Sequence, residues 1–215
     1  GQKFGQALVQ GAIHGLIGAT IGGLVGGVTG GISAVIDKRN FWDGSKVQKI
    51  ILAKYDNIPP VGQRGNNNCL AADAEWIDKT FGGKMTQEDI RNLVNPGSDP
   101  NTVPLLDADV WSRYAEETGH KFTFELRETS ASQKLANILS KMQQGARIPM
   151  TISTPNGNHG VVMQSIVEKI TTKLNGSVTS KLLYYVMDSS HGGSFVRMSA
   201  GDIINNLRNL FYILP

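Results

Sequence analysis

Hydrophobic and polar positions divide this chain into two unequal regions. Between Phe4 and Ile36, apolar residues interleave with glycine, and nothing is charged apart from whatever His14 carries. Beyond Ser45 the pattern becomes periodic. Residues 45–55 (SKVQKIILAKY) have a capping serine and apolar Val47, Ile50 and Ile51, which predicts a short helix or a leading strand before the Pro59-Pro60 stop. Residues 70–80 read as a helix ending near Gly82-Gly83, with Ala71, Ala72 and Ala74 small enough for close packing. Residues 86–93 open on Thr-x-x-Asp, a capping-box pattern, and predict a second helix. A loop over 95–104 leads to a third helix, 107–118, closed by Gly119, and a fourth spans 130–144 and stops at Gly145.

The remaining signals are strands. Residues 121–126 (KFTFEL) alternate, and 148–153 read as a buried strand leading into a polar turn over 154–158. An apolar strand over 160–169 follows, then a hairpin turn around Asn175-Gly176 and a partner strand, 181–187, ending at Asp188. Residues 195–198 suit a further strand, 200–207 a short helix and 210–214 a closing strand. Helices first and antiparallel strands later predict the α+β class, with a domain over 45–215 preceded by a glycine-rich segment over 1–44.

Composition narrows the function. A chain of 215 residues, 40% of them hydrophobic, can bury one good core. A formal charge of +3 with no long basic run does not indicate nucleic-acid binding. One cysteine cannot form an intramolecular disulfide, so it fits a reducing compartment or a reactive thiol. The N-terminal run lacks the compact apolar core of a signal peptide, and a start on Gly1 is expected of a fragment or a processed product. The run is long enough to span a membrane. Gly15, Ala19, Gly23, Gly27 and Gly31 repeat at the four-residue spacing that permits close helix packing in lipid. Three expectations stand for residues 4–36: a membrane-active segment, a linker or partner-held segment, and a packed part of the domain.

The candidate chemistry centres on Cys69. A thiol where a helix begins faces the positive end of the macrodipole, which stabilises a thiolate. The plain alternative is a buried structural thiol, against which stand the polar flank Asn66-Asn67-Asn68 and the helix start. Gln63, six residues earlier, could donate its amide beside a backbone N–H to the oxygen of a tetrahedral intermediate, or be a solvated loop amide. Of four histidines, His159 alone opens a strongly apolar strand after a polar turn, where it can reach a thiol on a facing helix and act as its base; His191 is the second choice. Asp188 ends the partner strand and could fix the imidazole, or merely cap the turn at Ser189-Ser190. No ligand pair has zinc-site spacing, and no phosphate loop is present, so neither metal nor cofactor is expected.

Gln-x5-Cys at the start of a helix resembles the papain-like cysteine peptidases. With His159-Gly-Val-Val-Met and Tyr184-Tyr-Val-Met-Asp188-Ser-Ser it is most similar to their C39-type, double-glycine branch, in which a His-Φ-Val-Val strand (Φ, hydrophobic) and a later hydrophobic-Asp strand complete the site. The resemblance covers about residues 59–215. It implies a papain-like fold, a nucleophile helix packed on an antiparallel sheet, and a site of Cys69, His159, Asp188 and Gln63. One departure follows the cysteine, where many relatives have Cys-Gly and this chain has Cys69-Leu70. The resemblance further implies a protein or peptide substrate cut after double glycine, a pair that occurs here at Gly22-Gly23, Gly26-Gly27 and Gly30-Gly31. Separately, the glycine-rich run ending in Asn40-Phe41-Trp42-Asp43-Gly44 resembles the pre-toxin region of Rhs-type polymorphic toxins. That implies a secreted effector delivered into the cytoplasm of a target bacterium, with a cognate immunity protein as partner. The same triad also suits glutamine deamidation, acyl transfer or peptidoglycan amide cleavage. Two further expectations are a processing peptidase for a larger polypeptide, and membrane insertion by the glycine-rich segment.

Overall fold

The computed structural model describes residues 38–39, 45–55, 57–124, 130–173 and 175–215. The expectations for residues 4–36 and for the Asn40–Gly44 motif lie outside them. The helices are α1 (Cys69–Thr80), α2 (Gln87–Val94), α3 (Asp107–Thr118), α4 (Ala131–Gln143) and α5 (Ala200–Asn206). The strands are β1 (Lys38–Arg39), β2 (Lys46–Lys54), β3 (Lys121–Phe124), β4 (Pro149–Thr154), β5 (Gly157–Thr172), β6 (Val178–Asp188), β7 (Ser194–Met198) and β8 (Leu207–Leu214).

The long strand β5 organises the sheet. Along one edge it pairs with β6, which carries β7 beyond it. Its other edge is shared: β4 takes the first half and β2 the second. Beyond β4 come β8 and β3, beyond β2 comes β1, and every pairing is antiparallel. This settles residues 45–55 as a strand. The second half of β5 extends past the six-residue β4, and β2 satisfies its open backbone groups there. The turn between β4 and β5 is shorter than the sequence suggests. Thr154 pairs with Gly157 and Ser153 with Asn158, so His159 lies inside the strand, not at its start.

Nine successive residues of β5, 160–168, are buried, as expected for a strand covered on both faces. Helix α1 packs on β5, α2 and α3 pack on α1, and α4 lies against β2. The core between these layers holds Trp76, Trp111, Tyr114, Ile138, Met150, Val162 and Phe211, all nearly or fully excluded from solvent. Thr86 forms the full capping box with Asp89, and Ser199 does the same with Asp202. No described helix is long and apolar enough to cross a membrane.

Candidate active site

Cys69 is the first residue of α1. The N-cap, Asn68, makes no side-chain capping bond, so no side-chain oxygen from that residue occupies the helix start. Instead Asn68 is buried and faces inward. Its Nδ2 donates to Gln87 Oε1 (2.9 Å), and its Oδ1 accepts from Arg91 Nη1 (3.0 Å). The preceding loop is anchored to α2 by the same two residues. Gln87 Oε1 also accepts from the Arg64 N–H (2.8 Å), and its Nε2 donates to Gly62 O (3.0 Å) and Glu75 Oε2 (3.1 Å). Arg91 extends the brace with bonds to Ser98 O and Asp99 O. Gly65 (φ 105°) passes so close to Pro100 that a Cβ would lie 2.8 Å from its carbonyl oxygen.

His159 and Asp188 come from neighbouring strands, and a β-bulge aligns them. From the hairpin end, β5 and β6 pair in steady register as far as Ser165 with Tyr185. Gln164 is then the extra residue, and the pairing resumes as Met163 with Val186 and ends with Val161 opposite Asp188. Without the bulge Asp188 would oppose Val162 and its side chain would point to the other face. With it, Asp188 shares the face of Val161 and His159, and the imidazole spans the diagonal gap. His159 Nε2 lies 2.8 Å from Asp188 Oδ1. The same oxygen accepts from the Ser190 N–H (2.9 Å) and hydroxyl (2.6 Å). The turn-capping and imidazole-holding roles of Asp188 therefore coexist.

With Nε2 given to Asp188, Nδ1 is the ring nitrogen left for Cys69. Burial pushes the thiol pKa up. Hydrogen bonding to His159 and to the Gly160 and Leu70 N–H groups outweighs it, so the thiol lies below its ordinary value. Burial pushes His159 down, but bonding to Asp188 and Cys69 raises it to about 10. Asp188 is held below the usual carboxylate range, chiefly by His159 and further by Ser190. These directions favour a thiolate–imidazolium pair beside an ionised Asp188, an arrangement suited to nucleophilic attack on a carbonyl.

Gln63 sits on the braced loop, and its backbone N–H donates to Ser189 O (2.8 Å), tying the loop to the end of β6. Its carboxamide nitrogen faces Gly65 O (3.1 Å) and Asn66 O (3.3 Å). Beside that tie the backbones almost touch: a Cβ on Gly62 would lie 2.5 Å from Gly192 C. His120 lies against Phe81, the two rings tilted by 32° with centroids 4.1 Å apart. Among the described residues no three His, Cys, Asp or Glu side chains gather as a metal site. Sequence reasoning passed over Gln87, Arg91 and Asp73. Of these only Asp73 carried a signal, as a charge among alanines one helical turn beyond the cysteine.

No protein-family model matches the chain, and no curated protein does. Solved structures do. One is the peptidase domain of Streptococcus ComA, a bi-functional ABC transporter of a quorum-sensing pathway, at 14% identity and TM-score 0.50. The match covers 73% of this chain and 98% of that one. Another is a double glycine motif protease from an AMS/PCAT transporter, solved with its leader peptide, also at 14% identity and TM-score 0.50, covering 76% of this chain and 95% of that one. The chain thus has the α+β, papain-like fold of C39-type peptidase domains.

Proposed function

We propose that this protein is a cysteine peptidase with Cys69 as nucleophile, His159 as base and acid, and Asp188 as the group orienting the imidazole. The observation that carries the reading is the hydrogen-bonded series that runs from Cys69 at the start of α1 to His159 on β5 and Asp188 on β6, with the imidazole held through Nε2. The Cys69 thiolate attacks the scissile carbonyl carbon. The resulting oxyanion accepts from the Cys69 N–H and from the Gln63 carboxamide, a role that requires its nitrogen to leave Gly65 O and Asn66 O, to which it donates in the free protein. His159 gives its proton to the leaving amine, then takes one from the water that hydrolyses the thioester.

The substrate favoured is a polypeptide with glycine on the acyl side, by likeness to the double glycine motif protease. The double glycines of the N-terminal segment are candidates on the chain itself. The setting proposed is that of a delivered antibacterial effector with a cognate immunity protein, residues 45–215 forming the toxic domain behind the glycine-rich segment. Support for this setting is the pre-toxin-like run ending in Asn40-Phe41-Trp42-Asp43-Gly44.

The test is expression of the 215-residue chain in bacterial cytoplasm beside Cys69→Ala and His159→Ala, with a proteome-wide search for new protein N-termini. Toxicity and new termini in wild type alone are expected. Toxicity without new termini would move the reading to deamidation or acyl transfer on the same residues. Equal toxicity of all three would remove Cys69 from the mechanism and leave the glycine-rich segment as the agent.

A further inference from the structure

The peptidase reading makes no use of Asp73, a carboxyl buried within the described structure. It is fully buried, and neither carboxyl oxygen has a hydrogen-bond partner among the described residues. It lies on α1 four residues after Cys69, so both occupy one helix face, and its side chain leans back toward the cysteine. On the other side it meets β5. A Cβ built on Gly160 would lie 2.5 Å from Asp73 Oδ2, placing the carboxyl against the strand one residue beyond His159. Every neighbouring acid on α1 is satisfied. Glu75 has Lys79 and Gln87, and Asp78 has the Met85 N–H and Tyr114 hydroxyl.

The titratable groups facing Asp73 are Cys69 from its own helix, His159 from β5, Asp188 from β6 and Asp107 from α3. Only one is a cation. A second buried anion here would be unsolvated and would repel the Cys69 thiolate. Asp107 does not help, since its Oδ2 is already taken by the Thr151 hydroxyl (2.5 Å) and the Asn209 amide (2.7 Å). We propose that Asp73 is a positioning residue held as a neutral carboxylic acid beneath the Cys69–His159 pair, so that the negative charge shared by helix face and strand rests on sulfur and not on oxygen. One proton is at issue. Moving it from Asp73 to Cys69 gives a carboxylate and a thiol; leaving it on Asp73 gives the acid and the thiolate. Burial without donors, the main influence raising the Asp73 pKa, holds the proton on the carboxyl. Such coupling is reciprocal: the thiolate keeps Asp73 protonated as much as neutral Asp73 keeps the thiolate.

This inference rests on the Cys69–His159 pair of the peptidase reading, and its test needs no substrate. Infrared spectra of the 215-residue chain at neutral pH should contain the carbonyl stretch of a protonated carboxylic acid, absent in Asp73→Asn. In Cys69→Ala, which has no thiolate, the band should titrate away at least about one pH unit lower than in wild type. That comparison does not depend on whether an Asp73 variant folds. No acid band at neutral pH, or the same midpoint with and without Cys69, overturns the proposal. The rate of Cys69 alkylation by iodoacetamide against pH separates the two failures, because the chain has a single cysteine. A depressed thiol midpoint without the infrared signature removes only the role of Asp73. An ordinary thiol midpoint removes the peptidase reading and this inference together.

Discussion

Replacing Asp188 by Asn tests the electrostatics of the site most directly. The substitution keeps the shape and removes the negative charge that holds His159 Nε2 at 2.8 Å. The two side chains are 18% and 23% exposed, so solvent only partly screens their attraction. A charge-assisted hydrogen bond contributes about 1.5–3 kcal/mol, and one pKa unit is about 1.4 kcal/mol. His159 should therefore fall from about 10 by about one to two units. NMR titration of the His159 ring, assigned by comparison with His159→Gln, reads that shift. Stability should follow with a definite sign. The folded-state pKa of His159 lies above its ordinary 6.5, so its contribution is full below that value and is lost as pH rises through about 10. The pKa of Asp188 is depressed, so its contribution is present above its ordinary 3.8 and is lost as pH falls through its lower folded value. In urea, the gap between wild type and Asp188→Asn should be widest between these limits and narrow on both sides. An unshifted His159, or a gap independent of pH, would refute the assignment of Asp188 as the partner that charges the imidazole.

Other substitutions separate bracing from chemistry. Gln87→Ala removes four hydrogen bonds to the loop, to Asn68 and to Glu75, and should cost about 1–3 kcal/mol in urea unfolding while opening residues 62–68 to limited proteolysis; an unchanged proteolytic pattern would deny Gln87 its bracing role. Gln63→Ala should lower peptide hydrolysis by about 10²–10³-fold while the pH midpoint of Cys69 alkylation stays in place, because an oxyanion donor acts after the thiolate has formed. A shifted midpoint would instead tie Gln63 to the charge state of the pair. Gly160→Ala should destabilise by about 1–3 kcal/mol and slow alkylation of Cys69, since α1 must move off β5 to admit a methyl group. Equal urea midpoints would show that the contact has slack.

The parts of the site legible in the sequence were those that depend on local pattern. A polar loop meeting an apolar, alanine-rich segment at Cys69 marks a helix start whatever lies around it. Asn175-Gly176 between two apolar runs marks a hairpin, and counting outward brings His159 and Asp188 toward one another. Counting alone gives the wrong register, however, because the bulge at Gln164 arises where β5 changes partners. There Tyr55, just past β2, donates its backbone N–H to Gln164 O (3.1 Å), a contact made over more than a hundred residues. The same limit hid Gln87 and Arg91. On α2 they read as ordinary polar helix residues, and only the fold brings a loop from twenty residues upstream across their side chains. It also left residues 45–55 balanced between helix and strand, since the deciding factor was an unpaired stretch of β5 at the far end of the chain.

Leu70, the residue after the cysteine, and Gly160, the residue after the histidine, are set against each other by that same fold. The two positions meet across the contact of α1 with β5: a Cβ on Gly160 would lie 2.8 Å from Leu70 Cδ2 as well as 2.5 Å from Asp73 Oδ2. Leu70 is buried in the space that a side chain at 160 would fill. The helix–strand spacing, and with it the approach of Cys69 to His159, depends on the absence of a side chain at 160. If so, the two positions are energetically coupled. Gly160→Ala should cost less in a Leu70→Ala background than in wild type, with a coupling of about 0.5–3 kcal/mol in a double-mutant cycle read by urea unfolding. Leu70→Ala removes only one of the two obstructions, so the relief should be partial, and Asp73→Ala added to it should recover more. Strict additivity of Leu70→Ala and Gly160→Ala would mean that Leu70 does not limit the space at 160 and that the spacing is set elsewhere.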